Sequence, residues 1–218
     1  MEKRPANKNT KSNVATMMAA SEAKKAFQKN FISGLIIILT IVHIDRTLIV
    51  TKIRTMSLVY LVLGGNQGNR TEIFSKAIDL VTSEIGQKRA ISSIYESESW
   101  GFDSDLFINQ VIAIDTILSP ERVLSLAQQI ENSLGRVRKS SGYEARTLDI
   151  DLLYYDEIVV DNEILTLPHP RIPNRRFVLL PMAEIAPNLK DPLTGLTIQQ
   201  MLHNCKDLSK VWPLGQNP

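Results

Sequence analysis

Residues 146–153, which read RTLDIDLL, decide the fold of this chain. Apolar side chains alternate with Asp149 and Asp151 and then continue, which indicates a β-strand that buries one face. Because successive side chains of a strand point to opposite faces, the two carboxylates share a face, about 7 Å apart along the chain. Two like charges this close repel each other unless a positive group lies between them. A magnesium ion is such a group, since it takes few carboxylates and completes its shell with water and phosphate oxygens.

The residues before this strand are cationic. Residues 135–139 read GRVRK and place three positive charges in a loop that continues through Ser140, Ser141 and Gly142. Cations that face a carboxylate-bound metal are the groups that phosphoryl transfer requires. Each pattern taken alone is more often solvent-exposed charge. The spacing of the residues therefore supports a metal–phosphate site and does not identify a substrate.

The surrounding pattern predicts an α+β fold. Ser119 is expected to cap a helix with Pro120 at its first position, and Asn69 to cap an earlier helix. The resulting order, β-α-β-β-α-β, is that of a ferredoxin-like sandwich with an added hairpin and C-terminal helices. The expected strands are 58–63, 90–95, 107–117 and 147–155, the helices 70–85, 120–134, 176–186 and 197–203, and the hairpin strands 158–160 and 164–167.

Charge is divided unevenly along the chain. Residues 1–55 hold 10 Lys and Arg against 3 Asp and Glu, whereas residues 56–218 hold 15 against 20. The isoelectric point near 8.6 therefore comes from the first segment, and it does not indicate that the acidic remainder binds nucleic acid. The single cysteine, Cys205, excludes an intrachain disulfide and favours a reducing, cytoplasmic compartment.

Residues 1–55 are expected to be a disordered or non-native leader, and residues 56–218 the folded domain. The leader contains an apolar run at 31–44, which is shorter than the roughly 20 residues of a membrane span. Three interpretations of the leader stay open. Translation begins at Met56, or the leader is a nonessential extension, or it is a membrane anchor.

Five short motifs follow one another in a distinctive order: LGGN (63–66), QQIE (128–131), GRVR (135–138), RTLDID (146–151) and LPHP (167–170). From about Met56 to the C-terminus the chain resembles the 6-hydroxymethyl-7,8-dihydropterin pyrophosphokinases of folate biosynthesis. The resemblance implies an enzyme that transfers pyrophosphate from ATP to the hydroxymethyl group of that pterin and releases AMP. It implies two Mg²⁺ ions, ATP as co-substrate, and a monomer in the cytoplasm without nucleic-acid or membrane partners.

The resemblance also assigns a role to each matching position. Four residues are expected to be catalytic, and the two aspartates among them to bind the metal ions: Arg136, Arg146, Asp149 and Asp151. Seven are expected to contact the nucleotide: Gln128, Glu131, Arg138, Tyr143, Thr166, His169 and Arg175. Four are expected to contact the pterin: Ser97, Phe107, Asn109 and Phe177.

The pterin assignments are chemically sensible, because a flat bicycle with polar edges needs aromatic faces and an amide that both donates and accepts. Phe107 and Asn109 share one face of a strand and could supply both. Several positions depart from the family pattern, among them Glu98, Trp100, Ile164 and Pro170. Phe107 replaces a frequent Tyr, Tyr143 a frequent Trp, and Gly65 the usual Ser.

Two other functions fit the residues less well. A ferredoxin-like nucleic-acid-binding module would expose aromatic residues on a basic surface, but this domain is acidic. A nucleotidyltransferase could use the same pair of aspartates and would release pyrophosphate from ATP rather than AMP.

Overall fold

The computed structural model describes residues 41–44, 47–50, 55–99, 104–136 and 145–216. The chain divides into two units, Met1–Met56 and Ser57–Pro218. In the first unit, β1 (Ile41–Ile44) pairs antiparallel with β2 (Thr47–Val50), so the last residues of the apolar run form one strand of a hairpin. Within the described ranges, no helix is long and apolar enough to cross a membrane.

The second unit is built on an antiparallel sheet. Its central strand, β3 (Ser57–Gly65), pairs with β6 (Phe107–Thr116) on one side and β7 (Asp149–Tyr155) on the other. The far side of β6 pairs with β4 (Gln87–Ile91) and then β5 (Tyr95–Ser97). Counting β4 and β5 as one interrupted strand, the spatial order of the four strands is fourth, first, third, second. This order confirms the predicted ferredoxin-like fold.

Helices cover both faces of this sheet. α1 (Arg70–Glu84) and α2 (Pro120–Ser133) lie on one face, and α3 (Arg176–Ile185) and α4 (Ile198–Asn204) lie on the other. Side chains alternate along β3, so this strand contributes to both cores: Val59, Leu61 and Leu63 lie under α1 and α2, and Tyr60 and Val62 under α3 and α4.

The two predicted helix caps differ in outcome. Ser119 caps α2 as predicted, because its side chain accepts from the N–H of Arg122 at 3.4 Å and Pro120 occupies the first turn. Asn69 stands at the N-cap of α1, but its side chain makes no hydrogen bond to the helix backbone. Its amide instead donates to Glu72 Oε2 at 2.9 Å, so the predicted N-cap position is confirmed but the expected capping hydrogen bond is absent.

The second strand is interrupted where the sequence predicted continuity. Residues 92–94 separate β4 from β5, and the N–H of Ser93 turns outward to donate to the Glu184 carboxylate at 3.0 Å. The Glu184 carboxylate also accepts from the Tyr95 hydroxyl at 3.0 Å. A side chain of α3 therefore satisfies the backbone at the break, and a local sequence pattern carries no signal for a contact this distant.

The hairpin after β7 is shorter than predicted. It consists of β8 (Val160–Asp161) and β9 (Thr166–Leu167). Asn162 Oδ1 accepts from the N–H groups of Ile164 and Leu165, both at 2.9 Å, so the turn spans residues 162–165. A further strand, β10 (Val211–Pro213), pairs with β5 and was not predicted.

Candidate active site

The two predicted metal ligands lie where β7 begins, beside the end of β3. Asp149 is paired with Gly64, and Asp151 with Val62. Ile150, which stands between the aspartates, is buried in the core under α1 and α2. Alternation along the strand therefore directs both carboxylates to the face opposite that core.

The turn after β3 fixes the chain just before Asp149. A Cβ at Gly65 would lie 2.4 Å from the carbonyl oxygen of Thr147, so a side chain there requires the backbone to move. Asn66 donates from its backbone N–H to the carbonyl oxygen of Arg146 at 2.9 Å, and Asn66 Oδ1 accepts from the Arg146 N–H at 2.9 Å. One buried residue thus fixes the peptide groups on both sides of Arg146.

Two arginines bind the Asp149 carboxylate. Arg136 donates from Nη1 to Oδ1, and Arg146 donates from Nη1 to Oδ2. None of the three side chains is more than 20% exposed, so water screens these ion pairs only in part. The positive φ of Gly135, +89°, ends the turn after α2 and directs the chain into Arg136.

A buried glutamate completes this cluster. Glu131 of α2 is 2% exposed; its Oε1 accepts from the N–H of Ile150 at 2.7 Å and lies 2.5 Å from Nη1 of Arg136. Burial, together with the nearby Asp149 charge, raises the pKa of the Glu131 carboxyl to about 7, although the Ile150 hydrogen bond and Arg136 oppose the shift. Glu131 therefore joins α2 to β7 from inside the protein, and its predicted contact with a nucleotide stays a prediction.

Asp151 has a separate set of neighbours. Its Oδ2 lies 3.5 Å from Nη1 of Arg175 and 4.0 Å from Nε2 of His169. Burial, followed by repulsion from Asp149, raises the pKa of the Asp151 carboxyl to about 6, although Arg175 opposes the shift. The two aspartates thus stand in different environments, with Asp149 more tightly paired than Asp151.

His169 is neutral at physiological pH in this arrangement. Burial, followed by the charge of Arg175, lowers the pKa of its imidazole to about 4. Nδ1 accepts from the backbone N–H of Arg171 at 3.1 Å, so the ring proton resides on Nε2, the nitrogen that faces Asp151. His169 can therefore offer a hydrogen-bond donor to an anion without carrying a charge.

The predicted pterin contacts border the same arginines. Asn109 donates from Nδ2 to Ser97 Oγ at 2.9 Å across the β5–β6 pair, and both residues are buried. Phe107 lies two residues before Asn109, with the guanidinium of Arg146 5.9 Å from its ring centroid. On the other side, the guanidinium of Arg175 lies 5.5 Å from the centroid of Phe177.

The remaining predicted nucleotide contacts are not all close to this cluster. Thr166 lies in β9, where its hydroxyl donates to Asp161 Oδ1 at 3.3 Å. Gln128 lies on the exposed side of α2. Arg138 and Tyr143 lie outside the residues that the structure describes.

Asn66 has a role that was not predicted from the sequence, where it is only part of the LGGN motif. Its side chain contacts the backbone of Arg146, the hydroxyl of Ser104 and the backbone of Asp105. The available signal was an amide in a Gly-Gly-Asn turn directly after a buried strand, where a side chain can satisfy several backbone groups.

The donor set is compatible with magnesium. Asp149 and Asp151 supply hard carboxylate oxygens, which Mg²⁺ prefers, and the ion needs only one or two of them. Among the described residues, no group of three or more His, Cys, Asp and Glu side chains is arranged to hold a metal by itself. Each oxygen of Asp149 accepts from one arginine, so a metal at this carboxylate would use the remaining lone pairs and compete with the guanidinium groups for its charge.

Comparison with known proteins reveals close relatives. The chain is 40% identical over 136 residues to a 2-amino-4-hydroxy-6-hydroxymethyldihydropteridine pyrophosphokinase of Porphyromonas gingivalis. The matched region covers 61% of this chain and 92% of that protein. A protein of the same name from Methylorubrum extorquens is 39% identical over 149 residues, covering 67% and 92%. The protein of this name from Bacillus subtilis is 36% identical over 146 residues, covering 66% and 87%.

Solved structures share the fold. The crystal structure of Plasmodium falciparum HPPK-DHPS wild type with pteroate matches 68% of this chain with a TM-score of 0.56 at 15% identity, and the chain spans 44% of that longer protein. The model of the 7,8-dihydro-6-hydroxymethylpterin-pyrophosphokinase family matches residues 60–187, which include every predicted site residue. The chain therefore belongs to the 7,8-dihydro-6-hydroxymethylpterin-pyrophosphokinase family.

Proposed function

We propose that this protein transfers the pyrophosphoryl group of ATP to the hydroxymethyl oxygen of 6-hydroxymethyl-7,8-dihydropterin and releases AMP, a step of folate biosynthesis. The observation that carries the proposal is the cluster in which Arg136, Arg146 and Arg175 lie against Asp149 and Asp151. Membership of a family of pyrophosphokinases makes the chain an enzyme rather than a binding module.

The charges of the cluster suit a triphosphate. Arg136 and Arg146 both donate to the Asp149 carboxylate, and a triphosphate would offer each of them a more highly charged partner. Their release would leave Asp149 free to accept a cation. The arginines and the aspartate would then lie on opposite sides of the same phosphates, which is the arrangement that stabilises charge in phosphoryl transfer.

Asp149 and Asp151 are the residues that would hold Mg²⁺, two ions by analogy with the family. When bound, magnesium would neutralise the phosphate oxygens and help to orient the attacking hydroxyl group. The protein's own contribution is positional. β7 holds the carboxylates on one face, and Glu131 fixes the strand between them through the N–H of Ile150.

The nucleotide would be bound by residues on both sides of β7. Arg175 and neutral His169 lie within 4.0 Å of Asp151 and can donate to phosphate oxygens. We keep the other family assignments as parts of the proposal: Gln128, Glu131, Arg138, Tyr143 and Thr166.

The pterin would lie between two aromatic rings. Phe107 and Phe177 each lie beside one arginine of the cluster, so a ring stacked on either would bring its hydroxymethyl group toward the phosphates. Asn109 and Ser97 form a buried, hydrogen-bonded polar pair on the same side, which suits the donors and acceptors at the edge of a pterin.

Nucleotide products distinguish this reaction from its alternatives. Incubation with ATP, Mg²⁺ and the pterin should give AMP in a one-to-one ratio with pterin diphosphate, and no AMP without the pterin. A nucleotidyltransferase would release pyrophosphate, and a simple kinase would release ADP. Either product in place of AMP would contradict the proposal. A monomeric state and a cytoplasmic location belong to the same proposal, and sedimentation and cell fractionation test them.

A further inference from the structure

The side chain of Asn66 joins two parts of the site that are distant in sequence. Its Oδ1 accepts from the N–H of Arg146 at 2.9 Å. Its Nδ2 donates to Ser104 Oγ at 2.9 Å and to the carbonyl oxygen of Asp105 at 3.2 Å. The residue is 7% exposed, so water replaces these contacts poorly if they are lost.

A second side chain, at the start of α1, contacts Leu106, the next residue of the same segment. Arg70, the first residue of α1, donates from Nη1 to the carbonyl oxygen of Leu106 at 2.9 Å and pairs through Nη2 with Glu96 at 3.2 Å. The segment 104–106 is therefore hydrogen-bonded at three consecutive residues, at two of them to Asn66 in the turn after β3 and at the third to the first residue of α1. Phe107 follows this segment directly and begins β6.

We propose that Asn66 is a positioning residue that aligns the pterin-binding residues with the phosphate-binding residues. The oxygen of its amide fixes the backbone that carries Arg146, and the nitrogen fixes the segment that leads into Phe107. The same two residues also meet through their side chains, because the guanidinium of Arg146 lies 5.9 Å from the centroid of the Phe107 ring. This inference rests on the proposed function, because it concerns the relative placement of that reaction's two substrates.

An amide can both accept from the Arg146 N–H and donate to the Asp105 carbonyl oxygen. A carboxylate of the same shape keeps an acceptor for the Arg146 N–H, but it cannot donate to the carbonyl oxygen of Asp105. The substitution Asn66→Asp therefore loses the bond to the Asp105 carbonyl, although the Ser104 hydroxyl can turn and donate to the carboxylate, and it preserves the bond from the Arg146 N–H. Loss of a part-buried hydrogen bond of this kind corresponds to about a tenfold change in an equilibrium.

The test compares steady-state kinetics of Asn66→Asp with those of Asn69→Asp. The control makes the same chemical change three residues away, where the side chain is exposed and bonds only within the start of α1. We expect Asn66→Asp to raise the KM for the pterin about tenfold, with the KM for ATP within about twofold of wild type. Ser104→Ala removes one acceptor of the same amide, and we expect a smaller increase, about threefold, again only for the pterin.

A merely structural role gives a different pattern. If Asn66→Asp matches Asn69→Asp, or raises both KM values equally, the inference is overturned. If Asn66→Asp does not fold, as judged by its thermal unfolding, Ser104→Ala decides. A selective rise in the pterin KM supports the inference, and an unchanged value overturns it. A wild-type chain that forms no AMP with the pterin would overturn the proposed function and this inference together, whereas an active wild type with unselective variants overturns the inference alone.

Discussion

The guanidinium of Arg146 lies 5.9 Å from the centroid of the Phe107 ring, while its Nη1 donates to Asp149. One side chain therefore contacts both a proposed pterin-stacking ring and a proposed metal ligand. Arg175 repeats the relationship on the other side of the site, where its guanidinium lies 5.5 Å from the centroid of Phe177. Because both arginines border an aromatic ring, a change that moves either of them is expected to affect both substrates.

The carboxylates of Asp149 and Asp151 are expected to be essential for turnover. Asp149→Asn and Asp151→Asn keep the side-chain shape and remove the charge that would hold Mg²⁺, so each should lower the pterin-dependent rate of AMP formation by about a hundredfold or more. Asp79→Asn is the control, because Asp79 is exposed on α1. Rates for both site variants within a few-fold of this control would contradict the metal assignment.

Arg136 is expected to act on the chemical step more than on ATP binding. Its Nη1 is shared between Asp149 and Glu131 before substrates bind, so we propose that it reaches the phosphates only when they are in place. Arg136→Ala should lower the single-turnover rate by about a hundredfold and change the Kd of ATP several-fold at most. Arg122→Ala, an exposed arginine of α2, is the control. A weakened Kd with an unchanged single-turnover rate would refute this role.

Glu131 should make stability depend on pH in the metal-free protein. Burial raises the pKa of its carboxyl to about 7 from an ordinary 4.5, so the folded state keeps this proton to a higher pH than the unfolded chain. The contribution to stability is then full below about pH 4.5 and is lost as the pH rises through about 7. Urea unfolding in a chelator should show wild type losing stability relative to Glu131→Gln over this range. A constant difference between the two proteins would show that the carboxyl titrates normally.

Two adjacent glycines should tolerate a methyl group differently. A Cβ at Gly65 meets the carbonyl oxygen of Thr147 at 2.4 Å, whereas a Cβ at Gly64 meets Asn109 Oδ1 at an ordinary 3.5 Å. Gly65→Ala should therefore reduce the free energy of unfolding by about 1–3 kcal/mol, and Gly64→Ala by clearly less. Equal effects in urea unfolding would mean that the turn after β3 relaxes without cost.

Residues 1–55 are proposed to be dispensable for the reaction. All the predicted site residues and the whole main sheet lie after Met56. A chain that begins at Met56 should unfold cooperatively and retain the kcat and both KM values of the full-length protein. A loss of activity in the same buffer would show that the leader contributes to the site. Membrane association of the full-length chain alone, in fractionated cells, would favour the anchor.

The sequence predicted the elements that local patterns encode. Ser119 with Pro120 marked the start of α2, and the alternation around Asp149 and Asp151 marked β7 and the face that the carboxylates share. The break between β4 and β5 could not be predicted this way, because it depends on Glu184, 91 residues away from Ser93.

The residues of the cluster could be named from motifs, and their roles stay predictions, whereas the contacts between them could not be predicted from the sequence. Motifs identified Arg136, Arg146 and the aspartates one at a time, whereas the hydrogen bond from Ile150 to Glu131 depends on how α2 packs on β7. Gly65 likewise looked like a small substitution for serine, and only the approach of Thr147 shows that a side chain there would require the backbone of this chain to shift. Such contacts arise from tertiary packing, which the residue pattern of a single segment does not encode.

The fate of the β-phosphorus tests the central claim most directly. With ATP labelled at the β-phosphorus, the account predicts that the label moves entirely into the pterin product, while label at the α-phosphorus stays in AMP. Transfer of the γ-label alone with release of ADP, or label from the α-phosphorus in the product with release of pyrophosphate, would contradict the claim that this site transfers a pyrophosphoryl group.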